Sequence, residues 1–325
     1  MSSGENGGKR QDGGEDGVEV ARALERAAAS ALVIPAPELG TLVVTGGDRQ
    51  TWLNGLITCD LAPLQTGDVA YGLCVAQKGR IEADAVVAIE ESRMLLAIPR
   101  AALSEVRASL ERHVIMEDVE IADGAYEVEA VHGPRAGEVL AAARVAGAHG
   151  GLLDRTGLGG AVLFLPAQSL AAAREARDAA LASVAGMLGD DRAWEALRLE
   201  RGVPQFGADF DASTYPQEAG LEKRAISFSK GCYLGQEVVF MLEKRGQVRR
   251  KLVTLRVESE LPPPRGADVL DASGEKVGTV TSAAIVPSAG GRTPIAMAMV
   301  KRASAEEGVE LSVAGAKAKV TGLAG

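Results

Sequence analysis

Ile226-Ser227-Phe228-Ser229-Lys230-Gly231-Cys232-Tyr233-Leu234-Gly235-Gln236-Glu237 is the stretch on which the reading of this chain turns. Gly231 and Gly235 bracket Cys232, and glycines let a backbone turn sharply and approach a ligand closely. Lys230 supplies a positive charge that favours the thiolate, which makes Cys232 a candidate nucleophile, metal ligand or redox group. A lone cysteine is also a common small core residue, and spacing alone leaves that choice open.

Upstream of this stretch, Asp190 and Asp191 stand where a helix cap belongs, Arg192 to Arg201 continues the helix, and Gly202 suits the C′ position. That helix delivers Glu200 to its C-terminal end. From Val203 to Lys230 no long periodic segment occurs, and Gly, Pro, Asp and Ser punctuate an ordered loop region. Earlier in the chain, Thr41 to Thr45 reads as a strand. Asp48 can cap a helix carrying Trp52, Leu53, Leu56 and Ile57 at helical spacing. Val69 to Ala76 and Ile81 to Ile89 are strands joined by Gln77-Lys78-Gly79-Arg80, and Met94 to Ile98 follows as another. A helix from Ala101 to about His113 precedes strands at Val119 to Ile121 and Tyr126 to Val131, an order of the split βαβ kind. The alternation recurs, with a helix opened by Pro134, a strand at Ala161 to Leu165, and an Ala-rich helix from about Gln168 to Met187.

Downstream, Pro262-Pro263-Pro264 cannot continue a helix or a central strand, and the residues beyond it are β-like, with turns at Ser273-Gly274 and Gly290-Gly291. The chain therefore divides into a tail over residues 1–17, expected to be disordered, an α+β region of two interwoven subdomains over 18–250, and a small β domain over 251–325. Its 325 residues favour two or three domains. With 44 acidic against 35 basic residues the net charge is -9, which argues against a nucleic-acid duplex or an anionic membrane as partner. The three cysteines form no CxxC pair, so neither a disulfide framework nor a zinc site is implied, and a cytoplasmic setting is expected. The tail lacks an apolar core of the secretory kind, and no window is apolar enough to span a membrane. Gly157-Leu158-Gly159-Gly160 fails the spacing of a dinucleotide loop, and His113, His132 and His149 are dispersed without metal or triad context.

The quoted stretch contains every fixed position of the K-G-C-[YF]-x-G-Q-E run of the YgfZ proteins, and the chain resembles that branch of the glycine-cleavage T-protein superfamily. The similarity extends through Leu197-Arg198-Leu199-Glu200-Arg201-Gly202, Glu218-Ala219-Gly220-Leu221 and Arg245-Gly246-Gln247-Val248-Arg249-Arg250. It implies a T-protein-like α+β fold, with two split-βαβ domains arranged around a tetrahydrofolate pocket and a C-terminal β-barrel. Glu200 takes the place of the pterin-binding acid, whose carboxylate can accept an N–H and an amino group together. Lys78 to Asp84 aligns with a segment that carries an Asp pair in the T-proteins, of which only Asp84 is kept here. Cys232 and Gln236 stand where T-proteins tend to have Asp and Arg. The resemblance thus implies Cys232 as the reacting group and Glu200, Lys230, Tyr233, Gln236, Arg245 and Asp84 around the folate, with Lys230 and Arg245 in a basic cluster suited to its glutamate tail. Trp194 and Tyr215 could stack on a pterin, although large aromatics are more often core or ordinary surface. The function so implied is a tetrahydrofolate-binding accessory protein in the maturation or repair of iron–sulfur enzymes, whose partners would be those client proteins or their assembly factors. The alternatives are a folate-dependent aminomethyltransferase or other one-carbon transferase, and a non-catalytic folate-binding scaffold.

Overall fold

Strand β4 (Ile81–Ile89) is apolar at nearly every position because both of its faces are covered. Val86 and Ala88 enter one hydrophobic cluster while Ala85, Val87 and Ile89 enter another, as the period of two in a strand requires. The computed structural model describes residues 12–245, 248–288 and 291–325, and places β4 in an antiparallel five-stranded sheet. With β2 (Leu39–Thr45), β3 (Val69–Val75), β5 (Met94–Pro99) and β6 (Glu120–Asp123) the order is β3-β4-β5-β2-β6. Helices α2 (Arg49–Asn54) and α3 (Arg100–Glu111) cover one face through Trp52, Leu53, Val106 and Leu110. Asp48 precedes α2 as expected, but its carboxylate accepts from the Asp118 amide at 2.8 Å and makes no cap to the helix. That helix is one short turn and ends before Leu56 and Ile57.

The second sheet has the order β10-β1-β7-β9-β8, from β1 (Leu32–Pro35), β7 (Tyr126–His132), β8 (His149–Leu152), β9 (Gly160–Pro166) and β10 (Met187–Leu188). Helices α4 (Ala136–Val145) and α5 (Leu170–Ser183) cover its outer face. The two units interlock in sequence: β1 precedes every strand of the first sheet yet pairs with β7 in the second. Their inner faces meet in a shared core that joins Tyr71, Val86 and Ala97 to Val128, Val162 and Phe164.

Helix α1 (Asp12–Ala29) begins inside the stretch that composition assigned to a tail. Its apolar residues Ala23, Leu24 and Ala27 pack against α6 (Asp191–Glu200), which explains why a Gly- and charge-rich sequence is helical there. Residues 1–11 of that tail lie outside the described residues. Among the described residues no helix is long and apolar enough to cross a membrane.

Helix α6 has the ends its sequence predicts. Asp190 accepts from the amides of Arg192 and Ala193 at 3.1 and 3.0 Å. At the other end Gly202 has φ +68, and the Val203 amide reaches back to the Arg198 carbonyl at 2.7 Å, a Schellman closure. Beyond a loop, α7 (Glu222–Ala225) and α8 (Gln236–Arg245) lead into the C-terminal domain. This is a closed six-stranded barrel, β11-β14-β13-β12-β15-β16, from β11 (Arg250–Val257), β12 (Asp268–Leu270), β13 (Lys276–Ser288), β14 (Gly291–Lys301), β15 (Glu310–Val313) and β16 (Ala316–Leu323). The turn read at Gly290-Gly291 falls partly on residues 289–290, which lie outside the described residues. The chain end closes on the loop after α6. Gly220 has φ +72 and its missing Cβ would sit 1.8 Å from the Ala324 carbonyl, so glycine alone fits there.

One ion pair binds α6, this loop and the barrel together. Arg198, 1% exposed, donates to Asp209 at 2.7 Å and is held from its other side by both oxygens of Glu195. Asp209 also accepts from Thr281 and Ser282 of β13 at 2.6 and 2.7 Å and from the Gln205 amide at 3.0 Å. Arg198→Leu leaves the Asp209 charge buried without its cation, so urea denaturation is expected to show a loss of about 3–5 kcal/mol; a loss below ~1 kcal/mol would remove this pair from its structural role.

Candidate functional site

A cavity of about 400 Å³ lies where the inner faces of the two sheets meet α6 and the loop after it. Most of its wall is aliphatic, from β1, β4, β7 and β9, and its polar groups are few: Asp84, His132, Arg155, Glu38, Arg100 and Gln205. A largely apolar enclosure with a few convergent polar groups is the usual form of a small-molecule site.

Asp84 sits in β4 on the face that also carries Val86, so the alternation of the strand directs it inward. It is 8% exposed. The Tyr71 hydroxyl donates to its Oδ2 at 2.9 Å, and Arg155 stands 3.9 Å from the same oxygen with its guanidinium 4.4 Å over the Tyr71 ring. Burial pushes the Asp84 carboxyl up, opposed by Arg155 and the Tyr71 hydrogen bond. Burial likewise drives the Tyr71 phenol well above its ordinary value, which keeps it a donor.

His132, the last residue of β7, is 3% exposed, and neither ring nitrogen has a hydrogen-bond partner. Its ring stacks on Trp194 of α6, centroids 5.1 Å apart and planes 9° from parallel, while the Trp194 indole donates to Gln205 at 2.9 Å. Burial, reinforced by the charge of Arg155, pulls the imidazole down to about 4, so it is neutral at physiological pH. A buried polar group left unpaired costs roughly 1–3 kcal/mol, so this arrangement is destabilising as it stands.

The signature loop lies behind this cavity and not on its wall. It packs against the chain that follows α2, with Ser227 donating to the Thr58 carbonyl at 2.9 Å and Leu234 to the Gly55 carbonyl at 3.0 Å. Gly235, φ +76, lies so near the Ala76 carbonyl that a Cβ would stand 2.5 Å from it. Lys230 is buried, and its ammonium donates to the carbonyls of Asn54, Ile57 and Cys59 at 2.6, 2.9 and 2.6 Å. All three protons are thereby used, so Lys230 clamps the loop to α2 and is directed neither at a folate tail nor at the Cys232 thiol. Burial pulls its ammonium down. Tyr233 is buried in the shared core with Tyr71 and Val86, its hydroxyl unpartnered and pushed up to about 12 by burial.

Cys232 is an exposed free thiol, whereas Cys59 and Cys74 are buried and pushed up to about 12, the state of inert core thiols. Gln236 opens α8, its amide 3.3 Å from the Gly231 carbonyl, and Arg245 ends that helix, exposed. The Gly246 and Gln247 that follow lie outside the described residues. Glu200 is exposed at the end of α6, raised by partial burial against the opposing charge of Arg201, and it does not line the cavity.

Of the seven residues expected at the site, Asp84 alone lines the cavity. Tyr233 lies in the core behind it, Lys230, Cys232 and Gln236 share the loop, and Glu200 and Arg245 stand apart. The sequence reading weighed Trp194 only as one of two aromatics that could stack on a pterin, found no metal or triad context for His132, and did not name Arg155, which lines the cavity, or Tyr71, which is hydrogen-bonded to Asp84 from the neighbouring strand. Trp194 carried a usable signal, since it lies four residues before Arg198 and so on the same face of α6. Tyr215, the other aromatic considered, instead lies beneath the Arg80 guanidinium at 4.7 Å. Among the described residues no cluster of acidic, His and Cys side chains could hold a metal ion.

Comparison with known proteins agrees with this architecture. Residues 18–148 match the GCVT N-terminal domain and residues 250–323 the glycine cleavage T-protein C-terminal barrel domain; the signature loop lies between the two matches. An aminomethyltransferase of Rubrobacter xylanophilus is 30% identical over 276 residues, 78% of this chain and 72% of that one. A protein named tRNA-modifying protein YgfZ, from Sodalis glossinidius, is 28% identical over 259 residues, 74% of this chain and 77% of its own. In fold, the chain is similar to the crystal structure of glycine cleavage system aminomethyltransferase T from Bartonella henselae, with a TM-score of 0.77, 24% identity, and 93% of this chain and 88% of that one covered.

The three carbonyls held by Lys230 give a direct check on its role. Lys230→Met should lower stability by about 2–4 kcal/mol in chemical denaturation, since buried acceptors lose a charged donor. A variant of unchanged stability and weakened ligand binding would return Lys230 to the ligand.

Proposed function

The chain belongs to the glycine cleavage T-protein family, and on that premise we propose that its central cavity binds a reduced folate, tetrahydrofolate or a one-carbon derivative of it. The carrying observation is Asp84, a buried carboxylate on the cavity wall that the Tyr71 hydroxyl engages at one oxygen and that can accept N–H groups from a pterin. The fit is also one of shape: about 400 Å³, flat aliphatic walls and the aromatic face of Trp194 suit a planar heterocycle. A folate bound there would supply a one-carbon carrier. The residues of this chain would bind and orient it: Asp84 by accepting hydrogen bonds, Tyr71 by fixing the Asp84 carboxylate, and Arg155 by offsetting its charge.

Equilibrium titration with tetrahydrofolate and 5-formyltetrahydrofolate tests this reading. Asp84→Asn is expected to weaken binding at least tenfold, about 1.4 kcal/mol or more, while Glu200→Ala, off the cavity wall, changes it less than about twofold. The reverse order would move the pterin contact to Glu200. Asp84→Asn should also raise the melting temperature of the ligand-free protein at neutral pH. Its raised carboxyl makes the folded state prefer the protonated form, so stability is lost as pH rises through the folded value.

We further propose that the protein serves as an accessory factor for iron–sulfur enzymes through Cys232. Two features support this: the complete K-G-C-Y-L-G-Q-E run and the exposure of that one thiol while Cys59 and Cys74 are buried. In cells lacking the gene, the activity of cluster-containing enzymes should fall and be restored by the wild-type protein but not by Cys232→Ala; full rescue by the variant would discard the thiol. The second reading, an aminomethyltransferase, draws on Asp84 and on relatives of that name. Folate-dependent release of ammonia from an aminomethylated carrier protein distinguishes it.

A further inference from the structure

His132 is anomalous by the rule that buried polar groups are paired. Its backbone is fully employed, since β7 pairs with β1 on one side and β9 on the other at this residue. Its ring is not. Both nitrogens are buried and unpartnered, one ring face is covered by Trp194, and the space it adjoins is the central cavity. Trp194 is held in place by its hydrogen bond to Gln205, so the aromatic pair is a built feature of the wall. An apolar residue at position 132 would fill the same volume without an unmet hydrogen bond, and the imidazole therefore marks a partner that the protein itself does not supply.

We infer that His132 recognises the ligand of the central cavity, hydrogen-bonding the polar edge of a flat heterocycle whose face packs against Trp194. This rests on the reading of the cavity as a folate site and adds to it the class of edge that is read. A neutral imidazole presents one donor and one acceptor at separate nitrogens. The two point in different directions, so one of them meets the heteroaromatic rim, the N–H at a carbonyl or the lone pair at an N–H, whereas a phosphate or carboxylate could use the donor alone. Burial, reinforced by the charge of Arg155, holds the ring in that neutral form. His132 and Asp84 would then divide the recognition, Asp84 taking donors alone and His132 meeting either a carbonyl or an N–H.

The test compares wild type, Asp84→Asn, His132→Phe, His132→Leu and His132→Gln by calorimetric titration with 5-formyltetrahydrofolate and by melting with and without it. His132→Phe and His132→Leu are expected to weaken binding about tenfold, the worth of about one hydrogen bond, and to melt at or above the wild-type temperature without ligand. His132→Gln keeps a donor and an acceptor and should bind within about threefold of wild type. If both apolar variants bind as wild type does while Asp84→Asn is impaired, the inference fails and the folate reading stands. If they melt well below wild type without ligand, His132 is a packing residue and the inference likewise fails. A wild-type protein with no affinity for reduced folates overturns both.

Discussion

The pairing of Arg198 with Asp209 is the constraint on which the rest of the molecule depends. A guanidinium that is 1% exposed must be neutralised locally, and its partners come from three places: its own helix through Glu195, the following loop through Asp209, and the barrel through the hydroxyls of Thr281 and Ser282 on Asp209. The desolvation cost of such a pair is recovered only with good geometry and further hydrogen bonds, which ties the three units to one arrangement. Trp194, one turn earlier on α6, and Gln205 and Phe206 in the loop are thereby carried to the cavity as parts of the same scaffold.

The polar groups of the chain divide by whether the protein completes them. Lys230 is buried with three carbonyls about its ammonium and needs nothing more. Arg177 is buried against both oxygens of Glu129 at 2.7 Å. On the cavity wall the balance differs. Asp84 has a single hydrogen bond and a distant cation, and His132 has no side-chain partner. Asp84 and His132 stand together on that wall with their hydrogen-bonding capacity incompletely used by the protein, as is expected where function tolerates a loss of stability.

Much of the fold is legible in the sequence. The capped helix from Asp190 to Gly202, the hairpin of β3 and β4, and the β-rich C-terminus follow from residues a few positions apart, and the structure has them. Other features depend on distant partners. Helix α1 is amphipathic in its own sequence, but its apolar stripe is covered by α6 only in the folded chain. Helix α8, opening inside the signature run, carries no cap signal that the glycines around it do not obscure. Tyr126 to His132 follows the strands of the first sheet in sequence yet joins the second, because β1 has already left an edge for it to pair with.

The candidate site divides along the same line. Sequence alone determined the family signature and the α+β class, and the family resemblance pointed to one acid of the cavity wall, Asp84. Only the tertiary structure decided that Lys230 is a clamp, that Glu200 stands off the cavity, and that His132 and Trp194 face Asp84 from another sheet and a helix. The reason is physical. Alternation and capping are set by neighbours within a few residues, whereas a buried charge or an unmet hydrogen bond is defined by what the folded chain brings to within about 3 Å of it, and such partners lie 176 residues away for Lys230 and Asn54 and 72 for Asp209 and Thr281.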